Sequence, residues 1–147
     1  AGHAVSVEAG ALPLPLAVRC EPEGLRLALQ VLLDNAVAHG AGGPLALAGG
    51  AADGGIELLV RDAGPGVAPD ETNSIFDKGY RGRNSVGKPG SGLGLYLARS
   101  VLEVHGGTVT MRNLDAGGAE FRIWLPVRIN DGKCLASAGT RHNNSAK

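Results

Sequence analysis

Apolar positions recur along this chain in two rhythms, and the changes between them mark its elements. Ala4 to Ala9 alternates, the period of a strand. Leu12-Pro13-Leu14-Pro15 interrupts it, because proline cannot donate to a ladder, and Leu16 to Cys20 offers a second short strand. At Glu21-Pro22-Glu23 the rhythm turns helical: a proline and acids in the first turn, then Leu25, Leu29, Leu32 and Leu33 at helical spacing, with Ala28 and Ala36 beside them. This predicts a helix to about His39, stopped by Gly40. Leu45 to Ala48 and Ile56 to Val60 read as strands, the second ended by Asp62-Ala63-Gly64-Pro65-Gly66. Pro69-Asp70-Glu71 is expected to open a short helix, with Ser74 capping the turn around Ile75 and Phe76.

From Gly79 to Gly90 the chain is glycine-rich and poor in apolar residues, which predicts a long lid-like loop. Leu95, Tyr96, Leu97, Ala98, Val101, Leu102 and Val104 then give a helix from Gly94 to about His105, ended by Gly106-Gly107. Thr108 to Arg112 and Phe121 to Leu125 form a hairpin around Ala116-Gly117-Gly118, and Pro126 stops it. Asn130 to Lys147 has no periodicity and is expected to be a disordered tail, leaving residues 1–129 as the folded domain. The predicted fold class is α+β: a two-layer sandwich with a mixed sheet of about five to six strands and about three helices on one face.

Composition narrows the picture. The 147 residues suffice for one domain, and 44% hydrophobic against 19% charged residues favours a packed fold. Fourteen basic residues balance fourteen acidic ones, and aromatics make up 3%, so neither charge nor stacking surface points to nucleic acid. Cys20 and Cys134 are far apart, which fits reduced thiols better than a metal site. No stretch approaches the roughly 20 apolar residues of a membrane span. The chain opens without Met, so it is expected to be a piece of a longer protein, with any membrane segment elsewhere.

Three stretches carry candidate chemistry. Gly90-Ser91-Gly92-Leu93-Gly94-Leu95 runs directly into a helix, and a glycine turn feeding a helix N-terminus offers unpaired N–H donors to an anion. Asn35 lies mid-helix, where Asn is a poor former; its oxygen suits Mg²⁺, and it also fits a solvated helix face. Asp62 ends a strand, where a carboxylate can accept from an exocyclic amine or make an ordinary Asp-Gly turn. Lys78, Arg81, Arg83 and Lys88 scatter cations through the loop, as a polyphosphate would need or as a solvated loop would have. His39 and His105 sit at helix ends, with capping by a cation the expected role of His105. Gly90 follows a loop rather than a strand, which excludes a dinucleotide fingerprint, and there is no GxxxxGK[ST].

In order, these motifs resemble the boxes of the ATP-binding catalytic domain of bacterial sensor histidine kinases. Leu32-Leu33-Asp34-Asn35-Ala36 is similar to the N box and Asp62-Ala63-Gly64-Pro65-Gly66 to the G1 box. Ile75-Phe76-Asp77-Lys78-Gly79-Tyr80-Arg81-Gly82 is similar to the F box and Gly90 to Leu95 to the G2 box. The resemblance covers about Ala4 to Val127 and implies a Bergerat-type ATP fold. It implies that Asn35 holds Mg²⁺, that Asp62 binds the adenine amine, and that Gly64 and Gly66, with Val67, admit the base. Arg81, aided by Lys78, would reach the phosphates, and Gly90, Gly92, Leu93, Gly94 and Leu95 would cradle them. His39 would lie beside the nucleotide, and Asn35 and Arg81 would be the catalytic pair.

Three positions depart from the family pattern: Val31 for a second Asn, Ala38 for a cation, and Ala119 for a hydroxyl residue. They imply modest nucleotide affinity. His3, His39, His105 and His142 are followed by Ala, Gly, Gly and Asn, so none resembles the phospho-acceptor, which is followed by an acid. The acceptor is therefore expected on a separate dimerisation domain. A response regulator would be the further partner, and the parent protein an inner-membrane-anchored homodimer whose catalytic part is a cytoplasmic monomer in isolation. Two relatives are alternatives: an anti-sigma serine kinase, and a gyrase, Hsp90 or MutL type ATPase. The second needs a general base where Val31 stands. A nucleotide-free interaction module would require the glycine boxes to be coincidental.

Overall fold

A computed structural model describes residues 5–9, 21–82, 91–126, 129–130 and 133–134. Strand β1 (Val5–Ala9) runs parallel to β2 (Leu45–Ala52), which pairs antiparallel with β3 (Gly55–Arg61). Strands β4 (Thr108–Asn113) and β5 (Ala119–Pro126) form the closing hairpin, and β5 pairs with β3. The order β1-β2-β3-β5-β4 makes a mixed five-stranded sheet. Helix α1 (Pro22–His39) and helix α2 (Gly94–Val104) share one core with it.

Alternation along β5 places Ala119, Phe121, Ile123 and Leu125 toward the helices, where they meet Ala28, Leu32, Ala36, Ala98 and Leu102. Phe121 meets Phe76 edge-on, with ring centroids 6.2 Å apart. The other face carries charge. Glu120 joins Arg61 and Arg112 across neighbouring strands, and Arg122 joins Glu57 and Asp53. Burial raises the Glu120 carboxyl, but the hydrogen bonds from Arg112 and Arg61 outweigh it and hold the group below its ordinary range. The same bond to Glu120 raises the Arg112 guanidinium.

Both helices keep the predicted limits within a residue or two. The Glu21 carboxylate caps α1, accepting from the Glu23 N–H (3.1 Å) and the Gly24 N–H (2.6 Å). His105 is not a cationic cap. Its Nε2 accepts the Glu21 N–H at 2.9 Å, so the ring is a neutral tautomer whose Nδ1–H donates to the Val101 carbonyl at 2.8 Å. The end of α2 is thereby tied to the start of α1.

Among the described residues there are two α-helices rather than about three. The expected helix after Pro69 is a run of turns ending in one 3-10 turn, Ser74–Phe76. Thr72, Asn73 and Ser74 compete with helical bonding, as where the Thr72 hydroxyl donates to the Pro69 carbonyl (3.2 Å). Ser74 does not cap that turn; Asn73 precedes it without a side-chain cap. Strand β2 runs four residues further than expected, because Asp53 (φ 50°) and Gly54 (φ 73°) close a tight hairpin to β3. Ile129–Asn130 (β6) pairs with Lys133–Cys134 (β7), a short ladder within the tail expected to be structureless. The Leu16–Cys20 strand, Arg83, Lys88, Gly90 and the rest of that tail lie outside the described residues.

Candidate active site

A cleft of about 390 Å³ opens between α1, the turn after β3, the 71–82 segment and the start of α2. One face of α1 forms its floor: Val31, Asp34, Asn35, Ala38 and His39 recur at helical spacing. Asn35 is half-buried at the centre of that face. Asp34 beside it accepts a hydrogen bond from Gln30 Nε2 at 2.8 Å.

Asp62 is a buried carboxylate of the cleft, 6% exposed. Strand β3 delivers it, and its main-chain N–H continues the ladder by donating to the Ala119 carbonyl at 3.0 Å. Its Oδ1 accepts from the Gly64 N–H at 2.9 Å and from the Ala119 N–H at 3.2 Å. Those two bonds fix the carboxylate plane and leave Oδ2 as the oxygen for an incoming donor. A flat heterocycle bearing an amine would be recognised there by an acceptor already locked in place.

The glycines around Asp62 have structural reasons that spacing alone does not show. A Cβ on Gly64 would stand 2.0 Å from the His39 carbonyl oxygen, so this turn rides directly on the end of α1. Gly64 itself does not border the cleft, whereas Gly66 and Val67 do.

At the opposite end, Gly92, Gly94 and Leu95 line the cleft where α2 begins. Among the described residues no side chain caps α2, and helix geometry leaves its first N–H groups without intrahelical partners. With the positive end of the helix dipole, this arrangement suits an anion. Gly92 has φ 71°, and a Cβ there would come within 2.6 Å of the Tyr80 carbonyl oxygen. The Gly79 N–H also donates to the Gly92 carbonyl at 3.0 Å, so the loop's start is seated on the turn that leads into α2. Arg81 is exposed and borders the cleft. Lys78 is exposed and lies off it; Leu93 also lies off it, its N–H donating to Ser91 Oγ at 3.3 Å.

The structure thus brings Asn35, His39, Asp62, Gly66, Val67, Arg81, Gly92, Gly94 and Leu95 around one space, but not Gly64, Lys78 or Leu93. Sequence reasoning missed Glu71, a buried carboxylate (6% exposed) that lines the cleft and accepts the Tyr80 hydroxyl at 2.8 Å. It also missed Asn113, whose side-chain amide holds the Val67 backbone at the cleft wall. Neither carries a motif of its own. No group of three or more His, Cys, Asp or Glu side chains that could hold a metal occurs among the described residues.

The family model for histidine kinase-, DNA gyrase B- and HSP90-like ATPases matches residues 20–129. The chain belongs to this ATPase family. It is 41% identical over 112 residues to a sensor histidine kinase component, HK1, of Mycobacterium tuberculosis, covering 76% of this chain and 66% of that protein. The chain thus spans just under two thirds of that relative's length. Its fold matches the mycobacterial sensor histidine kinase MprB with a TM-score of 0.71 at 30% identity, over 84% of this chain and 80% of that one. Full-length ShkA, solved in complex with AMPPNP, matches with a TM-score of 0.70 at 31% identity, over 85% of this chain and 26% of ShkA. Among the described residues, no helix of this ATPase-family chain is long and apolar enough to cross a membrane.

Proposed function

We propose that this chain is the catalytic part of a sensor histidine kinase, binding Mg-ATP and giving its γ-phosphoryl group to a histidine on a separate dimerisation domain. The observation that carries this is the convergence on one cleft of a locked carboxylate, a mid-helix amide and an open helix N-terminus. Asp62 Oδ2 accepts the adenine amine. The phosphates meet the N–H groups of Gly94 and Leu95 and the Arg81 guanidinium. Asn35 stands between the two ends, where a cation shared with the phosphates would sit.

The donor set fits Mg²⁺. One amide oxygen with Asp34 nearby leaves most positions to phosphate oxygens and water, the coordination this hard ion prefers. When bound, it would neutralise phosphate charge. The chain's own residues bind, orient and screen. Transfer breaks the bond between the γ-phosphorus and the β–γ bridging oxygen, forms a phosphorus–nitrogen bond at the acceptor imidazole, and releases ADP. Such a step needs placement and charge neutralisation more than covalent help. Val31 lines the cleft where a gyrase-type enzyme would need a base, which disfavours direct attack by water. Val31, Ala38 and Ala119 all border the cleft as apolar groups, which supports modest affinity.

By the same reasoning the parent protein is a membrane-anchored homodimer with its catalytic part in the cytoplasm, and a response regulator receives the phosphoryl group next. The test is to mix this chain with the dimerisation domain of its parent protein and γ-labelled ATP. Label on that domain's histidine is the expected result. A stable label on this chain alone, or none on the acceptor, would overturn the assignment.

A further inference from the structure

Asn113 ends β4, 46 residues from the turn after Asp62, and carries no recognised motif. Its side-chain amide nevertheless engages that turn twice. Oδ1 accepts the Val67 N–H at 2.9 Å, and Nδ2 donates to the Val67 carbonyl at 2.7 Å. The amide acts as one more strand residue would, satisfying both backbone groups of a residue that has left the sheet. Gly66 makes this approach possible. It has φ 73°, and a Cβ on it would lie 2.4 Å from Asn113 Oδ1.

The consequence falls on the cleft, because Gly66 and Val67 form its wall on the Asp62 side. Val67 gives its N–H to Asn113 and accepts from it at its carbonyl, so its backbone is held by the hairpin. The β4–β5 hairpin therefore grips this end at two points: Ala119 N–H on the Asp62 carboxylate, and Asn113 on the Val67 backbone. We infer that Asn113 is a positioning residue for base recognition, setting the gap between Asp62 and Val67 so that a purine amine meets Asp62 Oδ2. Asn113 touches no nucleotide; it acts through Val67. This rests on the nucleotide assignment proposed above.

The test is calorimetric titration of the 147-residue chain with ATP and with GTP, for the parent sequence, Asn113→Ala and Asn113→Asp. Guanine presents a carbonyl where adenine presents its amine, so the ratio of the two affinities reports the geometry at Asp62. Asn113→Ala is expected to weaken ATP about three- to fivefold, the scale of two solvent-accessible hydrogen bonds, and to leave GTP unchanged. The ATP/GTP ratio then falls. Asn113→Asp keeps the acceptor for the Val67 N–H and loses the donor, so its ratio is expected to lie between the other two. It also supplies the readout if the alanine variant fails to fold. A merely structural role would lower the melting temperature without moving the ratio, and an unmoved ratio in a folded variant overturns the inference. Failure of the parent chain to bind ATP would instead overturn the nucleotide assignment.

Discussion

At one end of the cleft Asp62 is held by two N–H groups on one oxygen, its own N–H in the ladder, and a glycine turn seated on α1. At the other end Gly94 and Leu95 begin a helix that no described side chain caps, and Arg81 lies exposed on a loop whose start donates the Gly79 N–H to the Gly92 carbonyl just before α2. The two ends suit different ligand parts. A base has one shape and a fixed donor pattern, so its end gains from rigidity. A triphosphate changes charge and length during the reaction, so its end gains from donors that can adjust.

Substitutions separate the ends by what they damage. Gly64→Ala should have the largest effect, costing about 3 kcal/mol of stability, because the new Cβ meets the His39 carbonyl with no room to yield. Denaturant unfolding measures it, and a cost below the noise would show that the Asp62 turn is softer than described. Gly92→Ala should cost less, about 2 kcal/mol for a left-handed φ and a tight contact with Tyr80. Its damage should be local, with ATP affinity falling while the main unfolding transition stays cooperative. Equal losses from both glycines would erase the contrast between the ends.

Smaller effects are expected away from the cleft. His105→Ala removes two hydrogen bonds joining the helices and should cost about 1 kcal/mol, read from the unfolding midpoint. Glu120 supplies the pH test. Its folded carboxyl titrates below the ordinary value of 4.5, so its stabilisation is fully present above that pH and is lost as pH falls through the folded value. Glu120→Gln should flatten the acid limb of the stability curve and leave ATP affinity at neutral pH unchanged. A change in affinity would mean that the outer sheet face communicates with the cleft.

The parts of the fold visible in the residues were those with local periodicity. Both helices show their apolar stripes, Glu21 and Pro22 announce the start of α1, alternation marks β1 and β4, and β3 and β5 show as short, mostly apolar runs closed by Asp62 and Pro126. The Asp53-Gly54 turn was present as a hairpin signal, but the surrounding run of glycine and alanine hides the strand before it. The glycine boxes and Asn35 were legible because several short patterns fall in a fixed order. Contacts between distant positions were not. His105 with Glu21, Asn113 with Val67 and Tyr80 with Glu71 join residues whose local surroundings look ordinary. Gly64 shows the same limit: its place in a motif suggests ligand approach, while the structure supplies the His39 carbonyl as the reason for a missing side chain.

The central claim is that one cleft binds ATP through Asp62 at the base and Asn35 beside the phosphates. Titration of ATP with Mg²⁺ into the parent chain, Asp62→Asn and Asn35→Ala tests it most directly. The parent should bind, and each variant should bind at least about tenfold more weakly, the scale of losing a charge-assisted hydrogen bond or a metal ligand. Unchanged binding in both folded variants would contradict the account.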